Sequence, residues 1–298
     1  MVAVAQFYGS MVVLMLPLLC CVGIGLYWGR SSHPFGGAFA TTLVTTVTTP
    51  ALVFHTFVTT HLDDRALADI AAASVLALLL CAVAGAGLLR LAGLPVRKLL
   101  PTATLPNAGN LGLPISHLAF GDAGLSVAVA FFAINSFITH TVGVRMVAQA
   151  GARAQAWRSP VLLAAVAAVA LRVLDVPVPA WLVETSDMLG AVTVPLMLIS
   201  LGHALAVIPS KGLRGGTVVA VARLGAGLVA GYAVVHALGM PPDLAGALAL
   251  QMAMPCAVVS YMYAQRYTDM GDTAAGAVLV STVVFLVLAP LLVWLVQP

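Results

Sequence analysis

Charge is what this chain has least of. Only 8% of its 298 residues are Asp, Glu, Lys or Arg, against roughly 25% in soluble domains. None of the ten acids falls at the centre of an apolar run, so the chain offers no paired carboxylates within a membrane. No basic residue precedes Arg30. Without a charged leader region, the opening apolar stretch reads as a retained span rather than a cleaved signal peptide. The four cysteines, Cys20, Cys21, Cys81 and Cys256, all lie in apolar runs. With no CxxC and no His/Cys cluster at metal spacing, they read as small packing residues, and neither metal nor cofactor is expected. There is no nucleophile elbow, Walker loop or HExxH, and the GxG occurrences near Gly23 and Gly85 follow no strand. An intramembrane enzyme is therefore not expected. The net charge of +3 comes with no basic run interleaved with aromatics, so nucleic acid is not a partner.

What the chain has instead is apolar length. It is 61% hydrophobic with a mean hydropathy of +1.07, which makes it an all-α integral membrane protein whose partner is the lipid bilayer. A spanning helix needs about 20 apolar residues. Ten candidate spans lie near 9–29, 36–58, 67–91, 99–120, 124–147, 159–174, 181–208, 213–238, 242–265 and 273–296. The loops after the odd-numbered spans carry Arg30, Arg90, Arg97, Lys98, Arg145, Arg153, Arg158, Lys211, Arg214 and Arg266, ten of the thirteen basic residues. Cytoplasmic loops carry the Lys/Arg excess. Both termini are therefore expected outside the cytoplasm, in a cell (inner) membrane protein.

The chain also repeats itself at an offset of about 145–146. VTTPALVF (47–54) matches VTVPLMLI (192–199), LAGLPV (91–96) matches ALGMPP (237–242), and Asn135-Ser136 fall opposite Ser281-Thr282. This divides the chain into five-span units, 1–150 and 151–298. Five is odd, so the units must be inverted with respect to each other, an organisation typical of secondary transporters.

The stretch LPNAGNLGLP (105–114) is the least helix-like part of any span. Proline removes a donor and clashes with the preceding turn, and glycine permits unwound backbone. Under the offset, Gly109 falls opposite Pro255 in LQMAMPCAVV, so the fourth and ninth spans are expected to be broken at corresponding points. The second half-helices would begin near Gly112, with Pro114 in the first turn, and near Pro255. Their N-termini would meet at the midplane, where free N–H groups suit a carboxylate. Asn107 and Asn110 are placed to bind freed backbone or a ligand.

These motifs carry a resemblance. PNAGNLGLP followed by AFGDAGL, VPLMLISLGHAL (194–205) and MPCAVVSYMYAQRY with its AAGAVLVST run resemble the fourth, seventh and ninth-to-tenth spans of the auxin efflux carrier family. That family includes plant PIN-type carriers and bacterial malate and malonate permease-like proteins. The resemblance implies ten helices divided into scaffold and transport parts, crossing broken helices, elevator-like alternating access, small organic anion substrates and a homodimer. It places Asn107 at the crossover asparagine and Pro114 and Pro255 in the crossover-proline motifs. Thr48 and Thr49 stand where PIN-type carriers have polar residues facing substrate. They are Thr rather than Asn here, so a plant auxin site does not transfer.

The expected function is secondary transport of a mono- or dicarboxylate, as a uniport or linked to protons. A sodium-coupled organic anion symporter of related fold and a membrane sensor without transport are the alternatives. The substrate is expected between Asn107, Gly109, Asn110, Gly112 and Pro114 on one side and Met254 and Pro255 on the other. Thr48, Thr49, Asn135, His140 and Ser200 would complete the lining, and Gln251 would satisfy backbone or touch substrate. His203 can carry a proton, whereas His55 and His117 sit at span ends, where an interfacial role is ordinary. Arg223 either snorkels or attracts the anion. Gly225 and Ala226 to Gly231 read as small-residue packing surface.

Overall fold

The structure, a computed structural model, describes residues 2–31, 35–147, 159–208 and 212–296. Arg153, Arg158, Lys211 and the boundary between 150 and 151 lie outside the described residues. Among those described, the chain is helical with no strand, and six helices are long and apolar enough to cross a membrane. In chain order they run α1 (Val2–Arg30), α2 (Gly37–Thr59), α3 (Asp64–Leu91), α4 (Val96–Thr104) and α5 (Ala108–Val147). Then follow α6 (Pro160–Val173), α7 (Ala180–Val207), α8 (Leu213–Ala237), α9 (Pro242–Ala253), α10 (Val258–Tyr267) and α11 (Gly271–Val296). Large apolar side chains such as Val83, Val221, Val229 and Val287 project outward, as a lipid-facing surface requires.

Local chemistry sets the helix ends. Asp63 caps α3, its Oδ1 accepting from Ala66 N at 2.7 Å. The two LAGLPV-like stretches close α3 and α8 in the same way. Gly93 (φ 68) and Gly239 (φ 59) take the left-handed conformation. Leu94 N then bonds Leu89 O at 2.9 Å, and Met240 N bonds Val235 O at 3.1 Å. This is the closure a glycine just past a helix permits, and Pro95 and Pro241 follow it to prevent continuation. Gly121, inside α5, has φ 61 and ψ −149. A Cβ on Gly124 would lie 2.6 Å from Ser116 O, eight residues back. In a straight helix those atoms would be about 12 Å apart, so the chain doubles back at Gly121, where the sequence has Gly-Asp.

The helices sort into two packed groups. α1 lies along α7, and α2 packs on α6 and α7. Separately, α8 packs on α3, α9 and α11, α9 packs on α5, and α3 packs on α4. Contacts between the groups are sparser. The α1–α7 seam is made close by small residues: a Cβ on Gly25 would fall 2.0 Å from Ile199 O, and one on Gly202 2.0 Å from Val22 O.

A surface ion pair, Lys98 Nζ to Asp269 Oδ1 at 2.6 Å, ties the start of α4 to the α10–α11 turn. That hydrogen bond, aided by a backbone bond, holds the Asp269 carboxyl below its ordinary range. A lowered folded-state pKa stabilises above the unfolded value, and the contribution is lost as pH falls through the folded value. Lys98→Met should therefore lower the neutral-pH unfolding temperature, by a small amount because the pair is exposed and screened, and leave the acid-side value unchanged, so that the acid limb of the profile flattens.

Candidate functional site

The site is built on two places where the helical path stops. α4 ends at Thr104, and Leu105 is extended (φ −82, ψ 117). Pro106 has no N–H to continue the helix. α9 ends at Ala253, Met254 is extended (φ −59, ψ 149), and α10 begins only at Val258. The two stretches bond to each other as a short antiparallel bridge between Pro106 and Cys256. Asn107 N donates to Pro255 O at 2.8 Å and Ala257 N to Leu105 O at 3.0 Å. The remaining groups find side chains: Cys256 N donates to Ser281 Oγ at 3.0 Å, and Asn135 Nδ2 to Pro106 O at 3.3 Å. Backbone freed within an apolar interior must be satisfied in this way.

Two details differ from the sequence reading. The bridge sets Pro106 against Cys256, an offset of 150, where the repeat offset of 146 put Gly109 opposite Pro255. The helix also restarts at Ala108 rather than Gly112, through a π-type turn, Ala108–Gly112. Asn107 O accepts from both Leu111 N (3.3 Å) and Gly112 N (3.1 Å), which lets the helix begin one turn earlier than a Pro114 start would.

Behind the bridge, polar side chains hold it in place. Gln251 is fully buried, and its Nε2 donates to Ser116 Oγ at 2.9 Å. Gly112 makes room for this amide: a Cβ there would sit 2.3 Å from Gln251 Oε1. Gly112→Ala should therefore push Gln251 off Ser116, lowering thermal stability by about 1–3 kcal/mol as overpacking does, and Gln251→Ala in the same chain should restore part of it. Arg223, also fully buried, donates to the carbonyls of Met254 (3.3 Å) and Met252, and to Cys81 Sγ at 2.9 Å. It neither snorkels nor lines the cavity.

In front of the bridge lies a cavity of about 760 Å³ between the two helix groups. It brings together Asn107, Gly109 and Asn110 with Asn135, His140, Thr49, Ser200 and His203. Thr48, Gly112, Pro114, Gln251, Met254, Pro255 and Arg223 are not among its lining residues. Thr48 is buried with an unpartnered hydroxyl, and the others in that set support the floor. Asn107 Nδ2, Asn135 Oδ1, Thr49 Oγ1 and Ser200 Oγ are buried atoms without a hydrogen-bond partner. Such orphans are exceptional in folded proteins, and four of them border one cavity. Among the described residues, no Asp, Glu, Lys or Arg lines it.

Among the described residues, the two ionisable lining groups, His140 and His203, each have a companion. The Tyr263 hydroxyl and His140 Nδ1 lie 2.6 Å apart, and His203 stacks on Phe35 with ring centroids 4.3 Å apart. Three π-type turns, Val44–Thr48, Ala108–Gly112 and Thr139–Gly143, border the same space. Thr41, Thr45, Ser136, Thr139 and Tyr263 escaped the sequence reading. Thr41, Thr45 and Thr49 recur every four residues, the one signal that places them on a common helix face. His55 and His117 lie outside the cavity, near Asp187 (3.6 Å) and Asp122 (3.3 Å).

Comparison with curated proteins finds no match. The family model described as membrane transport protein matches residues 10–159 and 154–294, nearly the whole chain. This chain thus belongs to the membrane transport protein family, that of the auxin efflux carriers.

Proposed function

We propose that this membrane transporter is a secondary carrier of small organic anions that works by alternating access. The observation that carries the reading is the cavity between the two helix groups, floored by the Pro106–Cys256 bridge and bordered by unpartnered polar atoms. Helix starts at Ala108 and Val258 meet this floor, and their free N–H groups favour a carboxylate. With neutral donors and no acidic lining residue, a cation finds no carboxylate partner there.

Counting the reversal at Gly121 and the two interruptions, the helices read as ten spans in two inverted five-span units with broken, crossing fourth and ninth members. The hydrogen bonds of the bridge support this. The two bonds, Asn107 N to Pro255 O and Ala257 N to Leu105 O, exchange with each other when 105 is set equivalent to 255 and 107 to 257, an offset of 150, four residues beyond the offset of the flanking sequence. The longer α9, twelve residues against nine in α4, accounts for most of that difference. The group of α1, α2, α6 and α7 reads as the scaffold and the rest as the moving part, sliding as an elevator. The cavity reaches Phe35, Val144, Ser159 and Val207, which border the Arg/Lys-rich loops; this supports reading the state as inward-facing, with both termini outside.

The test is a thermal-shift screen of mono- and dicarboxylates across pH on the purified protein, followed by counterflow in proteoliposomes. Saturable stabilisation and flux with at least one carboxylate are expected. A proton-linked cycle through His140 or His203 would add a pH-dependent rate. No stabilisation and no flux across the panel would overturn the reading.

A further inference from the structure

Arg223 is the only charged side chain buried in the described protein. It lies ten residues into α8, about 15 Å along the helix and close to mid-membrane. All ten acids in the chain are surface-exposed, so none of them balances it. Its three side-chain nitrogens instead donate to Met254 O, Cys81 Sγ and Met252 O, one bond each. A buried charge left without a counter-charge is strongly unfavourable unless something compensates it. Here the compensation is partial: two carbonyls at the C-terminal end of α9, which carries roughly half a negative charge.

That end of α9 is part of the floor. Two helix C-termini, those of α4 and α9, and two helix N-termini, at Ala108 and Val258, converge on the bridge. Their partial charges nearly cancel. Arg223 sits behind the segment 252–255 and adds one full positive charge to an otherwise balanced floor. From these observations, and resting on the anion-carrier reading above, we infer that Arg223 is the positioning residue that sets the charge preference of the site. It clamps Met252 and Met254 so that Pro255 O meets Asn107 N, and its uncompensated charge is completed by the bound carboxylate without touching it. Its side-chain partner is Cys81 and not an Asp or Glu, which leaves that charge free to act on the cavity.

The experiment separates clamp from charge. Cys81→Asp leaves Arg223 and its two carbonyl bonds in place but supplies a counter-anion, Arg223→Met removes both, and Arg223→Lys keeps the charge. Hexanoate and butanedioate, each beside its neutral amide, serve as probes in thermal-shift titrations of the purified full-length protein. The wild type should bind a carboxylate and discriminate against its amide. Cys81→Asp should weaken the carboxylate by roughly tenfold or more, as expected for neutralising a unit charge at short range in a medium of intermediate polarity, and leave the amide unchanged. Arg223→Lys should retain most of the discrimination. If Arg223→Met fails to fold, Cys81→Asp carries the test. Unchanged carboxylate affinity in Cys81→Asp overturns the inference and leaves the carrier reading standing. A wild type that binds none of the probes overturns both.

Discussion

Asn107→Ala should abolish anion flux in proteoliposomes while the protein expresses, folds and inserts as the wild type does. Everything structural that Asn107 contributes comes from its backbone: N–H to Pro255 O, and carbonyl to Leu111 and Gly112. Alanine keeps all three bonds. What it removes is a side-chain amide whose Nδ2 is buried at the cavity with no partner. A donor held without a partner in the empty site loses nothing when deleted there, so stability should be unaffected or rise slightly. Once a carboxylate arrives, the same donor makes a charge-assisted bond, which contributes about 1.5–3 kcal/mol, or roughly ten- to a hundredfold in affinity.

Asn107→Asp sharpens the test. Its carboxylate would lie at the helix start at Ala108, the place proposed for the substrate's own. This variant should be as heat-stable as the wild type yet give no stabilisation with any carboxylate. Counterflow at wild-type rate in Asn107→Ala would remove the residue from the site and, with it, the assignment of the bridge as the binding floor.

How far the sequence reached is clearest at the two interruptions. Proline, glycine and asparagine at 105–114 and proline at 255 act through the local backbone, so their effect on the helical path was legible without any partner. So was the repeated Gly-x-Pro closure of α3 and α8, because a left-handed glycine followed by proline is again local chemistry. What stayed hidden depends on contacts between distant segments. Gln251 looked equally able to touch substrate or backbone, and its observed partner, the Ser116 hydroxyl 135 residues away, is neither. Arg223 left two readings open, snorkelling or attracting an anion, because its partners, Met252, Met254 and Cys81, are 29 to 142 residues away. The register of the bridge was missed by four residues because apolar matches fix an offset loosely where one unit carries a longer helix. The π-type turns have no sequence signature, and the Tyr263–His140 pair joins two elements that nothing in the sequence brings together.

The small residues of α8 show the same limit and give the second large effect. As sequence, Gly225 and Gly227 are indistinguishable parts of a packing surface. In the fold they are opposites. Gly225 is exposed, and a Cβ there meets nothing within 4 Å. A Cβ on Gly227 would lie 2.2 Å from Met252 O and 2.7 and 2.8 Å from Arg223 Nη2 and Nη1. Gly227 follows Arg223 by four residues, one helical turn, so the guanidinium crosses the bare face of Gly227 to reach α9. Valine at 227 must either part α8 from α9, whose carbonyl is backbone and cannot swing away, or displace the guanidinium. The first is overpacking, at about 1–3 kcal/mol or more. The second leaves a buried charge without its hydrogen bonds, at about 3–5 kcal/mol.

Either outcome is a large fraction of the stability of a folded protein, which is about 5–15 kcal/mol in all. Gly227→Val should therefore give aggregated or strongly destabilised material in detergent. Gly225→Val, two residues away on the lipid side, should elute as a single species with the unfolding temperature of the wild type. A Gly227→Val protein that is monodisperse and as heat-stable as Gly225→Val would mean that Arg223 does not reach across this face to α9. The bridge would then be held from α8 by something other than a buried cation.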